Sequence, residues 1–438
     1  MEAPPANLRG YWRLIRSNRN FRLLWGAQFV SEIGDWLYMV AIFSSLLELT
    51  GSARVVASAF VMQVLPQCFV APAAGVINDR LSRKKVMIVT DWCRAIIVFT
   101  MMFVQTPGLL WALYVLLVLE TICWAIFEPA HTAVIPNITS EKETLVANTL
   151  SSVTWSFTLA VGSAIGGVIA AYFGRTTVFV LNAASFVISA LLIRQMRFTE
   201  PHTEGRPAMR IADLFDFTPI AEGIAYVRRD ARLFATMFVK CGIGLMGSNW
   251  VLLPLFGERI FPLSVSGLDA KSAGMLSMSL LMGCRGIGSL LGPLVAARWT
   301  DDKERTYLHA ILIAFLLAAL GYGLLGIAPT LLLAAVGVVV AHSGGSIAWV
   351  YSTTLLQTGT NDQFRGRVFS AEFAFSMAAL SVVSYSAGVL ADTGISVRTL
   401  ALWTALIVLI PTLLWAVALR TVWARSKCVE PHRSPHLP

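Results

Sequence analysis

Glu32 and Asp35 stand three residues apart inside an apolar run that extends from about Phe21 to Leu49. That spacing puts both carboxylates on one face of a helix, near the middle of its length. An ionisable group so deep in an apolar segment is costly unless it faces a cavity or a partner, which makes each a candidate proton carrier or ligand-binding group. The alternative is a buried carboxylate held by a fixed arginine. Glu120, deep in a run that ends near Ala130, is a third acidic candidate, divided between binding and structure. Lys240 and Arg285 are the cationic counterparts in the second half of the chain. Each can neutralise a carboxylate across the molecule, with Asp35 as the candidate partner of Arg285, or bind an anionic small molecule. Lys240 can instead snorkel to the edge of its apolar segment. His342 reads as a polar packing residue and Glu372 as the partner of a nearby base. Trp36, Tyr38, Trp124, Trp155, Trp250 and Trp349 read as packing or interface anchors.

The elements that must hold these groups follow from composition. The 438 residues are 56% hydrophobic and 13% charged, with mean hydropathy +0.69. A soluble domain has about a quarter charged residues, so the chain is an all-α polytopic membrane protein. At ~20 residues per span its length accommodates twelve helices. No cleavable leader is expected, because the start up to Arg22 is polar and basic and the first apolar run is too long. The net charge of +9 reads as membrane topology rather than nucleic-acid affinity, since the basic residues sit beside spans. The six cysteines (Cys68, Cys93, Cys123, Cys241, Cys284 and Cys428) contain no C-x-x-C pair and read as small core residues. No cofactor or metal is expected.

Residues 1–20 form a cytoplasmic amphipathic lead-in, in which arginines alternate with aromatic and aliphatic residues. Residues 21–193 form a first six-helix bundle. Its second span runs from about Arg54 to Ile77 and is interrupted by Pro66 and Pro72, so it should face the bundle. Its third runs from about Val86 to Gln105, and Pro136 to Glu143 form a turn after the fourth. The fifth carries Gly162, Gly166 and Gly167, small residues that let helices approach closely. The sixth covers about Thr177 to Ile193. Residues 194–231 are a cytoplasmic linker with a surface helix between Ile211 and Val227. Residues 232–423 form a second bundle, with spans near 232–260, 271–297, 306–327, 330–357, 366–391 and 398–423, and 424–438 a cytoplasmic tail. An offset of about 220 carries Gly75–Lys85 onto the charged stretch Val295–Arg305, and Gly174 onto Gly394. A constant offset at separated landmarks marks duplicated, pseudo-symmetric halves.

The stretch Gly75-Val-Ile-Asn-Asp79-Arg80-Leu-Ser-Arg83-Lys84-Lys85 reads as a tight basic turn between two spans, with a glycine that lets the helix end pack closely. It resembles the signature G-x-x-x-D-R-x-x-R-[RK]-[RK] between helices 2 and 3 of the major facilitator superfamily. Further stretches are similar to the branch of bacterial macrolide-efflux and enterobactin exporters. These are Asn20-Phe-Arg22, Ser31-x-x-Gly34-Asp35, Glu128-Pro129-Ala130 with Pro136, and Arg365-Gly366-Arg367-Val368. Gly162-Ser-Ala-Ile-Gly166-Gly167 resembles the antiporter motif G-P-x-x-G-G with serine in place of proline, and no arginine motif of the proton antiporters is found in the fourth span. The resemblance ranks Asp35 first among the candidates. It implies a gate in which Asp79, with Arg80 and Arg83 beside it, meets the start of helix 11 at Arg365, Gly366 and Arg367.

The function this implies is secondary export of a small amphipathic molecule (a drug, a macrolide-like compound or a siderophore) by proton antiport and alternating access. The expected partners are that substrate, protons and the lipid bilayer, with the chain monomeric and in the plasma (inner) membrane. Uptake or lipid flipping by the same fold stays open. Direct ATP drive is disfavoured because no G-x-x-x-x-G-K-[ST] occurs, and a membrane enzyme because neither H-E-x-x-H nor G-x-S-x-G does. A receptor is disfavoured because it would not need charged mid-membrane faces in both halves. Of the 34 Lys and Arg, Arg54, Arg175, Arg259, Lys271 and Arg398 are assigned to the outer side, Lys240 and Arg285 to spans and the rest to the inner side, an asymmetry that predicts both termini in the cytoplasm. A reporter enzyme fused after Arg206 should therefore be active in the cytoplasm and one fused after Gly108 outside it. The reverse pattern in a fusion assay inverts the topology.

Overall fold

Close helix approach organises the chain, and its small residues determine where that approach occurs. The computed structural model describes residues 8–200, 217–263, 265–266, 268–300 and 304–423. A short helix, α1 (Leu8–Ser17), precedes six long ones: α2 (Arg19–Thr50), α3 (Ala53–Arg80), α4 (Arg83–Met101), α5 (Leu110–Ile138), α6 (Glu141–Phe173) and α7 (Arg175–Arg194). The surface helix α8 (Thr218–Val227) follows. One broken span is assembled from α9 (Ala231–Met237), α10 (Val239–Gly244) and α11 (Asn249–Leu255). After it come α12 (Ala270–Ala296), α13 (Glu304–Ile327), α14 (Leu331–Gly359), α15 (Asp362–Asp392) and α16 (Val397–Ala418). The expected linker residues 201–216, the tail 424–438 and residues 301–303 of the second charged turn lie outside the described residues.

Eleven of these segments are long and apolar enough to cross a membrane. The twelfth span, α4, is too charged to qualify by composition, because it carries Arg83, Lys84, Lys85, Asp91 and Arg94. It nevertheless packs between α5 and α7. The result is an all-α integral membrane fold of twelve spans in two six-helix bundles. In the first, α2 lies against α6 and α7, and α3 against α5. In the second, α13 lies against α14 and α16. The bundles meet along α6–α12 and α3–α15. The broken span bends where Gly244 and Gly247 face α15; a Cβ on Gly247 would lie 2.6 Å from the Leu380 carbonyl oxygen.

The fifth-span glycines divide their contacts between the two seams. A Cβ at Gly162 would stand 2.8 Å from Trp36 Cβ, and one at Gly166 would stand 2.7 Å from Leu37 Cα, both on α2. One at Gly167 would strike Ser279 of α12 at 2.1 Å, and one at Gly286 the Ala160 backbone of α6 at 2.4 Å. Gly388 of α15 similarly abuts Ala57 of α3 at 2.5 Å.

The two ends of the bundle differ. At the end remote from α1, Asp392 closes α15 and caps α3 of the other bundle. Its carboxylate accepts from Ala53 N (2.8 Å), Arg54 N (3.1 Å) and Ser52 Oγ (2.5 Å), where a helix N-terminus favours negative charge. Arg259 Nη2 also donates to Gly51 O at 2.7 Å, and Arg175 pairs with Glu48. At the end that carries α1, the tips of α3 and α15 stand apart. A Cβ on Gly75 or Gly366 would meet nothing within 4 Å. Asp79 is 68% exposed and pairs with Arg83 at 4.0 Å.

Several sequence expectations need correction here. The basic turn is only Leu81 and Ser82, with Gly75–Arg80 forming the last turns of α3. Gly75 makes no close packing contact in this state, because the two helix tips are separated. The fourth span continues through Pro129 and Pro136 to Ile138. Helix α15 begins at Asp362, so Gly366 lies beyond its first turn and offers no free helix N-terminus to Asp79. Arg367 instead pairs with Glu222 of α8 at 2.8 Å, beside the stacked rings of Tyr226 and Phe364. Arg83 braces its own bundle, donating to Asn78 O (3.2 Å) and Ala133 O (3.0 Å).

Backbone atoms cannot move aside for an added side chain as a flexible side-chain tip can. Gly166→Val should therefore lower the yield of monodisperse protein at least several-fold, whereas Gly75→Ala should leave it unchanged. Size-exclusion chromatography of fluorescent fusions measures both, and equal yields would contradict the packing described.

Candidate functional site

The third span supplies the residue that sequence reading passed over. Arg94 is 2% exposed and reaches two other helices. Its Nη2 donates to Asp35 Oδ2 of α2 at 2.8 Å, and its Nε to Glu120 Oε1 of α5 at 2.9 Å. Asp91, one turn earlier on α4, holds Oδ1 at 3.9 Å from Arg94 Nη1 and accepts from Ser189 Oγ of α7 at 2.6 Å. The Phe186 ring of α7 lies 4.0 Å from the guanidinium carbon, a stacking contact suited to a planar cation. Gly34 permits the convergence: a Cβ there would stand 2.3 Å from both Asn182 Oδ1 and Ser185 Oγ of α7. The signal for Arg94 was the i, i+3 pair Asp91/Arg94 inside the run that starts at Val86. It was hidden because Arg83, Lys84 and Lys85, two to three turns away, make the whole stretch read as a basic membrane edge.

Glu32 and Asp35 share a helix but enter different surroundings. Asp35 faces Arg94 on α4. Glu32 faces α6, where it accepts from Thr158 Oγ1 (2.9 Å); it also accepts from Gln28 Nε2 (2.8 Å) one turn earlier on α2, and among the described residues no cation lies within ion-pair distance. Asp35 retains a quarter of its side-chain exposure, and its Oδ1 has no hydrogen-bond partner. The held-carboxylate alternative thus describes the geometry of Asp35, with Arg94 as the fixed arginine.

The second bundle carries a different arrangement. Lys240 does not snorkel and does not reach the first bundle. Its Nζ donates to Glu372 Oε2 of α15 at 2.7 Å and lies 4.4 Å from the centroid of the Trp349 ring. Glu372 thereby takes the basic partner expected of it. Arg285 is not the partner of Asp35, which Arg94 occupies. Instead its guanidinium lies 3.8 Å from the Trp250 ring, and its Nε and Nη1 are buried without a hydrogen-bond partner. Trp250 in turn meets three rings of the first bundle: Trp36 (6.4 Å), Phe43 (6.3 Å) and Phe60 (4.4 Å). His342 is buried edge-on to Tyr322. Among the described residues no group of three His, Cys, Asp or Glu is arranged to hold a metal.

The sequence profile of the Major Facilitator Superfamily matches residues 24–384, from near the start of α2 into α15, and so spans Arg94, Asp35, Glu120, Lys240 and Arg285. The chain belongs to the Major Facilitator Superfamily. It is a membrane transporter and not an enzyme. Among similar proteins, the uncharacterised MFS-type transporter YfiS of Bacillus subtilis is 26% identical over 78% of this chain and 85% of its own length. Macrolide efflux protein A of Streptococcus pyogenes is 25% identical over 82% and 85%. A solved POT family transporter in complex with 5-aminolevulinic acid shares the fold, with a TM-score of 0.73 over 92% of this chain and 97% of its own, at 12% identity.

Removing one member of a buried ion cluster leaves the others uncompensated and costs ~3–5 kcal/mol. Arg94→Met should therefore lower the thermal unfolding midpoint in detergent by many degrees, and adding Glu120→Gln to it should restore part of the loss. A double variant no more stable than the single one would show that the Arg94–Glu120 contact carries no coupling energy.

Proposed function

We propose that this transporter exports a small amphipathic molecule from the cytoplasm in exchange for protons, acting as a monomer in the inner membrane with both termini cytoplasmic. The observation that carries the reading is the cluster in which Arg94 faces three carboxylates, Asp35, Asp91 and Glu120, from three helices. One cation balances one ionised carboxylate. In an apolar bundle the remaining negative charge is expensive, so the cluster has the capacity to hold protons. Asp35 Oδ1 and Asp91 Oδ1, without hydrogen-bond partners, offer positions for them. Asp35 is the member with exposure to exchange a proton along a water path.

The contacts between bundles support alternating access. The bundles are latched by Asp392 and Arg259 at one end and parted around Asp79 and Gly366 at the other. With the termini in the cytoplasm, this is an inward-facing arrangement. The reverse state would close the Asp79 end, bring Gly75 into close packing and engage Asp79 with the start of α15. That closure must compete with the Arg367–Glu222 pair. The efflux role in the name of one relative agrees with this direction; proton-driven uptake in the assay below would reverse it.

Asp35→Asn keeps a polar side chain for Arg94 but cannot alternate its charge. In proteoliposomes the variant should still exchange substrate down a concentration gradient at a rate within several-fold of wild type. Accumulation driven by an imposed pH gradient should be lost. A merely structural Asp35 would lower both modes together, and intact pH-driven accumulation would move the coupling role to Glu32 or Glu120.

A further inference from the structure

Arg285 is a cation deep in a span, on the seam between bundles, and among the described residues no acid pairs with it. A Cβ on its α12 neighbours Gly283 and Gly286 would stand 3.1 and 2.4 Å from the Ala160 backbone of α6, so this turn of α12 lies against the first bundle. The guanidinium carbon lies 3.8 Å from the centroid of the Trp250 ring, which joins α2 and α3 to the second bundle through Trp36, Phe43 and Phe60. Trp36 carries Trp155 of α6 edge-on at 5.6 Å, and Trp155 is 42% exposed. The seam therefore holds a wall of indole rings with a fixed positive charge at one side. Two donors of that charge, Nε and Nη1, are buried and unmatched. Lys240 is a contrasting case, because Glu372 occupies it.

An unpaired guanidinium in an apolar site is costly, and the cost is relieved when an anion accepts its hydrogen bonds. The planar fork matches a carboxylate or phosphate, and the adjoining rings match a flat apolar body. Nearby acids of the first bundle do not fill this role: Glu32 is held by Gln28 and Thr158, and Asp35 and Glu120 by Arg94. We propose that Arg285 is an anion-binding subsite of the transport cavity, so that the transported molecule is an amphipathic anion or zwitterion whose acidic group docks on Arg285 while its apolar part lies against Trp250, Trp36 and Trp155. This deepens the export reading by naming a substrate class, and it disfavours a purely cationic drug.

The test uses three probes of one shape in the full-length protein in lipid nanodiscs: 2-naphthoate, 2-naphthamide and 2-naphthylmethylammonium. Binding is measured by equilibrium dialysis against empty nanodiscs, which removes lipid partitioning. Wild type should bind the carboxylate about ten-fold more tightly than the amide, as expected for a charge-assisted hydrogen bond, and the ammonium least. Arg285→Lys should keep a reduced preference for the carboxylate, and Arg285→Met should bind carboxylate and amide alike. Arg285→Lys also serves as the folded control if Arg285→Met is poorly produced. Equal binding of the three probes by wild type, no binding of any, or an undiminished carboxylate preference in either variant would overturn the assignment. Dialysis involves no pH gradient, so loss of proton-driven flux with intact anion preference would refute only the export reading. Charge-blind binding with intact flux would refute only this one.

Discussion

The structure of the first bundle depends on one desolvated guanidinium. Arg94 has no water to turn to, so its fork must be satisfied by α2 and α5 while Phe186 of α7 covers its face. Four helices converge on a single side chain as a result. An ion cluster of this kind is weak evidence for net stability, since burying the charges offsets much of their attraction. Its value lies in specificity: any other packing of α2, α4, α5 and α7 strands several charges in an apolar medium.

The second constraint is distance between backbones. Apolar side chains alone give helices no reason to prefer one another over lipid, so association relies on close contact. Gly167, Gly286 and Gly388 allow it along α6–α12 and α3–α15. At the end of the α3–α15 seam, Asp392 completes it by capping the N-terminus of α3. The opposite tips carry Gly75 and Gly366, with the same capacity for close approach but no neighbour in reach. One seam thus has the means to close at either end, and the difference between the ends is a difference in which glycines are in use.

The halves are alike in topology and unlike in charge. Deep in the first lie Glu32, Asp35, Asp91, Glu120 and Glu128 with one arginine. Deep in the second lie Lys240, Arg285 and Glu372. Lys240 and Glu372 satisfy each other within their bundle, and Arg285 rests on an indole ring. Duplication accounts for the matching turns at Gly174 and Gly394, both with positive φ, where a side chain would be strained. It does not account for the polar groups, which are mostly acidic in the first half and mostly basic in the second.

Composition, length and periodicity determined the fold class and the presence of charges inside spans, and the resemblance around Asp79 pointed to the family. These are properties of a local stretch: its length, its hydropathy and its spacing. The glycines of α6 were legible as packing residues for the same reason. Which charge met which was decided only by the tertiary structure. Asp35 and Glu32, assigned to one face by an i, i+3 rule, diverge because α4 and α6 approach α2 from different sides. Arg285 was matched with Asp35 on charge alone, yet Arg94, 59 residues from Asp35 in sequence, lies closer in space and takes it. Local sequence carries no information about such a pairing. It depends on how helices rotate about their axes, and the packing of distant glycines and rings sets that rotation.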